Sequence, residues 1–391
     1  MFIKIFKSRI ALLYLMSIAM MFSFSAWMSL LNNFAIEVAS FNGAQIGMLQ
    51  SIREIPGFLA FGIIFVLIII SQQRLAYVSM MLLGIGVAST GFFPSVLGLY
   101  TTTVIMSIGF HYLETLNQSL SLQWLKKSEA PIVLGKIAAT KSFTSLAVFV
   151  IIYTLMKFYA IEYKHIYLFF GSITFMIAII AWMGFEHFKD DVIQEKKLKL
   201  KKEYWLFYIL TFFAGARRQI FMVFASFMLV EKFSVDIHNM VALLFVNSIL
   251  NIYFAPFIGR FIARIGERIT LRIEYFGLVL VFVSYAFVEN IYFAYALYIV
   301  DHLLFSMAIA LKTYFQKIAD PKDLASASAV SFTINHIAAV ALPAILGLIW
   351  LYSHSLVFFI GAGIALCSSL LSFLIPKNPA MGYETTLKKK T

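Results

Sequence analysis

The sequence has few of the residues that make a protein surface soluble. Charged residues account for 13% of the 391 positions, whereas a soluble domain carries about 25%. Cysteine occurs once, at Cys367, which excludes an intramolecular disulfide and a metal cluster built on thiolates. The chain therefore has neither the polar coverage nor the covalent cross-links that are typical of secreted globular domains.

Motifs of the common enzyme classes are also absent from the sequence. The G-x-x-x-x-G-K-[ST] loop that binds nucleotide phosphates does not occur, which argues against ATP-driven transport by this chain alone. Neither G-x-S-x-G, H-E-x-x-H nor a pair of C-x-x-C motifs is present. We therefore predict that the chain is not an enzyme and has no catalytic residue, no cofactor and no bound metal.

Apolar residues are abundant: 61% of the chain is hydrophobic, and the mean hydropathy is +0.88. A membrane-spanning helix needs about 20 apolar residues, so this length accommodates about twelve such helices with short loops. The apolar runs predict twelve segments, at residues 10–34, 44–70, 75–93, 96–124, 134–156, 165–185, 205–229, 238–262, 270–288, 291–313, 324–350 and 354–375. We refer to them as segments 1 to 12.

The N-terminus resembles a signal peptide, with Lys4, Lys7 and Arg9 ahead of an apolar run. The run continues beyond Ala26 to Leu31, which is too long for the core of a cleaved signal. It is therefore predicted to be the first membrane helix.

The net charge of +12 is distributed as membrane topology requires. Lysine and arginine cluster in alternate loops, whereas the remaining loops hold only Lys157, Lys164 and Lys232. Because positive loops stay on the cytoplasmic side, the pattern predicts a multi-pass protein of the cytoplasmic (inner) membrane with both termini in the cytoplasm. Membrane lipids, and not nucleic acid, are the expected partners of these charges.

A charged stretch, Glu186–Tyr204, interrupts the chain near its midpoint, and similar landmarks flank it. An acid followed by a proline occurs near Pro131 and Pro321, about 190 residues apart, and Ser-Phe follows in both places. This repeat predicts a duplication. The expected domains are an N-terminal six-helix bundle at 1–185, a cytoplasmic linker at 186–204, a C-terminal six-helix bundle at 205–376 and a cytoplasmic tail at 377–391.

The loop between segments 8 and 9 reads G-R-F-I-A-R-I-G-E-R over Gly259–Arg268. It is similar to the G-x-x-x-D-R-x-G-R-R motif of the major facilitator superfamily (MFS), with Ala263 in place of the acid. Chain length, helix number and the central linker resemble that family as well. The loop after segment 2, Ser71–Arg74, lacks the motif, and segment 5 lacks the glycine and proline motif of drug–proton antiporters, which counts against multidrug export.

The resemblance implies a fold and a site. Two six-helix bundles would be related by a pseudo-twofold axis along the membrane normal, and segments 1, 4, 7 and 10 would line a midplane site. It also implies a gating role for the loop, at Gly259, Arg264, Gly266 and Arg268.

Polar side chains inside the predicted segments give a second, independent set of candidates. A charge at the bilayer centre costs at least ~2.5–3.5 kcal/mol, so such residues face a cavity or a partner. In segment 4, His111, Glu114 and Gln118 share one helical face, and Asn117 lies beside it. They are expected to line the cavity, with Glu114 and His111 as proton carriers; the alternative is a static contact between helices.

Segments 7, 10 and 11 add further candidates. Segment 10 has Asp301 and His302, which are expected to bind substrate or protons or to pair with an arginine. In segment 7, the adjacent Arg217 and Arg218 point about 100° apart and should serve different partners. One is expected to pair with an acid and the other to bind an anionic group of the substrate, or both to form static ion pairs. The cavity set is completed by Gln219 and Asn335.

Arg53 and Glu54 of segment 2 are expected to form an outer gate with segment 7 or 11, or else a static pair.

The complete pattern predicts a monomeric secondary active transporter that moves a small anionic or zwitterionic solute by alternating access, coupled to protons. Three alternatives remain: a lipid or lysolipid flippase, a metal-ion carrier that uses the histidines and acids, and a non-transporting receptor or assembly subunit.

Overall fold

A computed structural model describes residues 6–125, 130–188, 201–320 and 324–387. These residues form helices and connecting loops, and they contain no β-strand; one isolated bridge joins Ala380 to Tyr383. Several predicted cytoplasmic charges lie outside the described residues, namely Lys4, Lys126, Lys127, Lys322, Lys388–Lys390 and the linker residues 189–200.

The helices of the first half agree with segments 1 to 6 to within a few residues, except at segment 2. They are α1 (Arg9–Glu37), α2 (Gly43–Phe58), α3 (Ile63–Val66), α4 (Gln72–Thr90), α5 (Val96–Trp124), α6 (Ala130–Tyr159) and α7 (Tyr163–Gly184). The prediction of one continuous helix at 44–70 was wrong, because a 3-10 turn at Leu59–Gly62 separates α2 from α3. Pro56 lacks a backbone N–H and Gly57 favours other conformations, so the helix is weak at this point.

The second half begins with a 3-10 turn at Lys202–Tyr204. It then contains α8 (Trp205–Gln219), α9 (Ser226–Glu231), α10 (Ile237–Ile265), α11 (Glu267–Phe287), α12 (Ile291–Phe305), α13 (Ile309–Ile318), α14 (Leu324–Trp350) and α15 (His354–Leu371). Segment 7 is interrupted by a π-helical stretch, Ile220–Ala225, and segment 10 by a 3-10 turn, Ser306–Ala308. Both interruptions lie beside predicted site residues.

Ten helical stretches among the described residues are long and apolar enough to cross a membrane. Each of the ten runs for at least 18 residues, whereas α2 has only 16. Large apolar side chains, such as Phe143 and Met183, remain exposed on these helices. Apolar residues on all sides of a helix are what a lipid environment requires.

The chain divides into two compact units. The first unit contains residues 1–41, 52–194 and 236–245, and the second contains residues 42–51, 195–235 and 246–391. The main break in the chain, between residues 194 and 195, falls inside the charged stretch Glu186–Tyr204.

In the first unit, glycines allow α4 to approach α5 and α7 closely. A Cβ atom at Gly109 of α5 would overlap the backbone of Leu83, and one at Gly84 of α4 would overlap the backbone of Gly171 and Phe175 in α7. Small residues at such crossings are the usual means by which membrane helices pack. The helices of the first unit therefore pack through close backbone contacts as well as through side chains.

In the second unit, a buried cluster gathers helix ends that lie far apart in sequence. Tyr204, Ile262, Leu271, Tyr314 and Ile375 all belong to it. The start of α8, the end of α10, the start of α11, the end of α13 and the segment after α15 therefore meet at one end of the unit. This is the arrangement expected of helices that alternate in direction.

The turns after segments 1 and 7 are alike. Ser40 and Ser234 both have positive φ, of 54° and 51°. Each turn is closed by a backbone hydrogen bond across six residues, from Phe41 N to Ala35 O at 2.8 Å and from Val235 N to Leu229 O at 3.1 Å. Their separation of 194 residues, from 234 − 40, agrees with the repeat found in the sequence.

Candidate functional site

The candidates of segment 4 fall on two sides of α5 in the first unit. Asn117 is buried and donates from Nδ2 to Ser17 Oγ of α1 at 2.8 Å. Glu114 is half-buried and Gln118 is exposed, so both lie on a side that neighbouring helices leave partly open. Asn117 therefore makes a contact between helices, and Glu114 and Gln118 lie on the more exposed side of α5.

Arg53 and Glu54 of α2 form a buried ion pair with each other. Arg53 also donates from Nη1 to Met28 Sδ at 2.9 Å, and its backbone oxygen accepts from Ser107 Oγ. A ring nitrogen of His111, which is buried, lies within 4.8 Å of a Glu54 carboxylate oxygen. These contacts connect α1, α2 and α5 within the first unit; a gate partner on segment 7 or 11 stays a prediction.

Arg217 of α8 lies in the interior of the second unit, with 1% of its surface exposed. Its guanidinium donates to Ser368 Oγ of α15 and lies 3.6 Å from the Glu274 carboxylate of α11. The same group stacks over the Tyr275 ring at 4.5 Å. Arginine keeps its charge, so a buried guanidinium needs these acceptors, and the group is anchored between three helices.

Arg218 has a different environment from its neighbour. It is half-buried, and it shares a partly exposed face of the segment with Ala214 and Met222, one turn away on either side. The π-helical stretch begins two residues later, at Ile220. Single-turn π-helical insertions are frequent at functional sites, because they redirect side chains.

Asp301 of α12 adds a second acid to the interior around Arg217. It is as deeply buried as Arg217, and it interacts electrostatically with that arginine. Its Oδ2 atom has no hydrogen-bond partner among the described residues, and neither does Glu274 Oε2. Arg217, Glu274 and Asp301 thus bring two acids and one base together, which leaves one negative charge without a counter-charge if both acids are ionised.

His302 of α12 belongs to a small polar network. Its Nε2 is hydrogen-bonded to Asn251 Nδ2 of α10, and Ser306 Oγ donates to Asn251 Oδ1 at 3.0 Å. Ser306 is the first residue of the 3-10 turn, so Asn251 connects the last turn of α12 to the start of the interruption. The network fixes the geometry of segment 10 next to Asp301.

Two further candidates in the second unit are polar groups with little room around them. Gln219 is buried, and its Oε1 has no hydrogen-bond partner among the described residues. Asn335 of α14 packs against Gly215, where an added Cβ would lie 3.0 Å from Asn335 Oδ1. Gly215 thus lets α8 approach α14.

The residues of the loop motif lie at the junction of α10 and α11. Gly259 and Arg264 are exposed, and Arg268 is half-buried in the first turn of α11. Gly266 precedes α11 with φ of 82°, a value that L-residues with side chains seldom adopt. The neighbouring Glu267 is paired with Lys317 of α13 at 2.7 Å.

The sequence reasoning missed Glu274 and Ser368. Glu274 is the eighth residue of α11 and lies well inside an apolar helix. The test applied to segments 4, 7 and 10, a charge inside an apolar run, would have found it. Ser368 carries no such signal, because a serine in a membrane helix normally bonds to its own backbone.

Long apolar helices that enclose arginine, aspartate and glutamate define a class: a multi-pass membrane protein whose buried charges mark a pathway for a substrate or an ion. The sequence matches the Major Facilitator Superfamily over residues 10–343 and 207–390, and the chain belongs to that family. The superfamily fold implies twelve helices in two bundles and a small-molecule substrate.

Solved structures of transporters share the fold at low sequence identity. The nucleoside transporter NupG is 14% identical, with a TM-score of 0.75, 93% of this chain and 98% of that chain covered. A bacterial homologue of the human lysosomal transporter Spinster is 10% identical, with a TM-score of 0.75 and coverage of 94% and 96%. A bacterial homologue of the iron transporter ferroportin is 12% identical, with a TM-score of 0.73 and coverage of 93% and 97%. Comparison with curated proteins gives no match.

Proposed function

We propose that the protein is a secondary active transporter that moves a small anionic or zwitterionic solute by alternating access, coupled to protons. It acts as a monomer in the cytoplasmic (inner) membrane, with both termini in the cytoplasm. The positive-inside pattern of the sequence supports this orientation.

The observation that supports this proposal is the difference in burial between Arg217 and Arg218. Arg217 is buried among Ser368, Glu274 and Tyr275, so its charge is committed to the interior of the second unit. Arg218 is half-buried and lies on a partly exposed face of the helix, beside a π-helical stretch. A guanidinium there suits a carboxylate or phosphate, which it binds through two parallel hydrogen bonds.

The partly open groups of the first unit support a zwitterionic solute. Glu114 is half-buried and Gln118 is exposed on α5. A carboxylate and an amide on one side of a helix can bind the amino or hydroxyl group of such a solute. The complete substrate set is His111, Glu114, Asn117, Gln118, Arg217, Arg218, Gln219, Asp301, His302 and Asn335, with Asn117 and Arg217 in supporting positions.

Proton coupling is assigned to acids and histidines, with Asp301 first and Glu114, His111 and His302 as further candidates. The reason is the excess negative charge around Arg217, since a buried acid without a counter-charge is stable only when it binds a cation or a proton. Gating is assigned to Arg53 and Glu54 and to the loop residues Gly259, Arg264, Gly266 and Arg268.

Arg218→Gln and Arg218→Lys test the anionic substrate. Purified protein is first screened for thermal stabilisation by organic anions, zwitterions and nucleosides, and stabilising compounds are then used for flux into proteoliposomes. Arg218→Gln should lower the uptake rate at subsaturating solute about 100-fold, because the paired charge-assisted hydrogen bonds to the anionic group of the solute are lost. Arg218→Lys should retain part of it, because the charge remains.

The matched control is Arg260→Gln, which removes an exposed arginine from the same unit. Its uptake should equal that of the native protein. Native transport of an anionic solute by Arg218→Gln would contradict the proposal, and so would a screen in which only neutral or cationic compounds stabilise the protein and are transported.

A divalent metal ion is a second candidate substrate. The observation that favours it is the proximity of a Glu54 oxygen and a His111 nitrogen, within 4.8 Å, since carboxylate and imidazole both bind transition metals. The likeness to a ferroportin homologue agrees with it. Stabilisation by Fe²⁺, Mn²⁺ or Zn²⁺ that is lost in His111→Ala would favour this candidate over an organic anion.

A further inference from the structure

Two half-buried arginines at the start of α11 have side-chain nitrogen atoms without a hydrogen-bond partner among the described residues. Arg268 and Arg272 lie one helical turn apart and therefore on one side of α11. Arg268 Nε, Arg272 Nε and Arg272 Nη2 are buried atoms without a hydrogen-bond partner among the described residues. The acids nearest in sequence already have partners, because Glu267 is paired with Lys317 at 2.7 Å and Glu274 lies 3.6 Å from Arg217.

The two guanidinium groups are close enough to repel each other electrostatically. The guanidinium carbon of Arg272 lies 3.9 Å from the centre of the Phe373 ring, in the 3-10 turn Ser372–Leu374 that follows α15. Like charges brought together, with donors left unsatisfied, are destabilising unless an anion lies between them. The first turn of α11 adds unpaired backbone N–H groups and the positive end of the helix dipole.

The surroundings indicate what kind of anion fits. Ile269, Ile273 and Phe276 form an exposed apolar stripe along α11, next to the arginines. Leu370 at the end of α15 and Phe373 in the turn that follows are exposed as well. An added Cβ at Gly266 would meet nothing within 4 Å, so the space beside the helix start is open. Charged donors above an exposed apolar stripe suit an amphiphile with an acidic head and an acyl chain.

We propose that Arg268 and Arg272 bind the phosphate group of an anionic phospholipid, whose acyl chain lies along the stripe of α11 and the end of α15. The ligand chemistry is that of a phosphodiester with a net negative charge. The site lies on the surface of the second unit and is independent of the transported solute. By occupying the junction of α10 and α11, the lipid stabilises this loop.

The test uses purified full-length protein in a neutral detergent and follows thermal unfolding with short-chain phosphatidylglycerol, phosphatidylcholine or inorganic phosphate at equal concentration. Phosphatidylglycerol should raise the unfolding temperature by about 2 °C or more, because a ligand that binds only the folded state stabilises it. Phosphatidylcholine and inorganic phosphate should have little effect, since one has no net charge and the other no acyl chain.

Arginine variants test whether the stabilisation by phosphatidylglycerol depends on Arg268 and Arg272. Arg272→Gln and Arg268→Gln should each lower the apparent affinity for phosphatidylglycerol about fivefold to tenfold, because each removes a charged contact to the phosphate. Arg260→Gln and Arg74→Gln remove exposed arginines from other places and should bind as the native protein does.

Three results would overturn the proposal. One is equal stabilisation by inorganic phosphate, which would make the site a general anion site. Another is no stabilisation of the native protein by phosphatidylglycerol. The third is an unchanged response in Arg268→Gln and Arg272→Gln. If a variant is too unstable for thermal unfolding, native mass spectrometry of retained phosphatidylglycerol gives the same comparison.

Discussion

Arg217 and Arg218 show how strongly burial decides the role of a residue. Both have the same chemistry and adjacent positions, yet only Arg217 is enclosed by α8, α11 and α15. A charge in that position stabilises the fold only while its acceptors remain, because the guanidinium cannot lose its proton.

Replacing Arg217 by methionine tests this structural role. The change leaves Glu274 and Asp301 buried without their base, and loss of one partner of a buried ion pair costs about 3–5 kcal/mol. The apparent unfolding temperature of purified protein should fall by about 10 °C, at about 2–4 °C per kcal/mol. Arg218→Met is the control and should cost about 1 kcal/mol or less, as for a partly exposed charge.

A double variant sharpens this test. Arg217→Met with Glu274→Gln removes one charge of each sign, so it should recover part of the stability lost by Arg217→Met alone. Equal unfolding temperatures for Arg217→Met and Arg218→Met would show that the two arginines do not differ as proposed.

Much of the candidate site could be predicted from individual residues of the sequence. Charge inside an apolar run pointed to Arg217, Arg218 and Asp301, because membrane burial makes such residues costly. Which arginine is enclosed could not be predicted, since two adjacent helical positions differ by about 100° and only the neighbouring helices decide which faces inward.

At the scale of helices, the first unit depends on close crossings. The backbones of α4 and α5 approach at Gly109, which lies against Leu83 and Ser79. Where a helix has a glycine that touches nothing, such as Gly363 of α15, no such constraint exists.

Gly109→Ala tests the crossing. The new methyl group would overlap backbone atoms, which cannot rotate away, so overpacking should cost about 1–3 kcal/mol. Gly363→Ala is the matched control; it meets open space and should be neutral or stabilise by up to about 1 kcal/mol, because alanine favours a helix. Thermal unfolding of both variants measures the difference. If the Gly109→Ala protein is as stable as the Gly363→Ala protein, α4 and α5 can move apart without a loss of stability.

Helix interruptions were harder to predict than helix positions. Segments 4 and 11 were placed correctly at 96–124 and 324–350, because hydropathy defines length. The π-helical stretch at Ile220–Ala225 contains no proline or glycine, so the sequence gives no local signal of the interruption. The break in segment 2 had a visible cause in Pro56 and Gly57, yet the apolar run continued through it.

For the whole molecule, proton coupling is the property that the buried charges predict. Asp301→Asn removes the excess negative charge, so Arg217 and Glu274 balance each other without a bound proton. The variant should still exchange solute across proteoliposomes without a gradient. Its accumulation driven by an imposed pH gradient should fall about 10-fold or more, because no proton is carried.

The control for coupling is Glu37→Gln, an exposed acid at the end of α1 that accepts from Asn33 and Tyr163. Both exchange and gradient-driven accumulation should persist in it. If Asp301→Asn accumulates solute as the native protein does, coupling belongs to Glu114, His111 or His302 instead.

The sequence by itself determined the class of the protein and most of its helices. Too few charges for a soluble surface, long apolar runs and lysines in alternate loops leave a helical membrane protein as the stable solution, and the repeat predicts two related halves. Only the tertiary structure decided which polar groups meet. Glu274 and Ser368 reach Arg217 from helices distant in sequence, and Arg268 and Arg272 are left with unsatisfied donors. The physical reason is that hydropathy is additive along the chain, whereas the partner of a buried charge depends on how neighbouring helices are rotated.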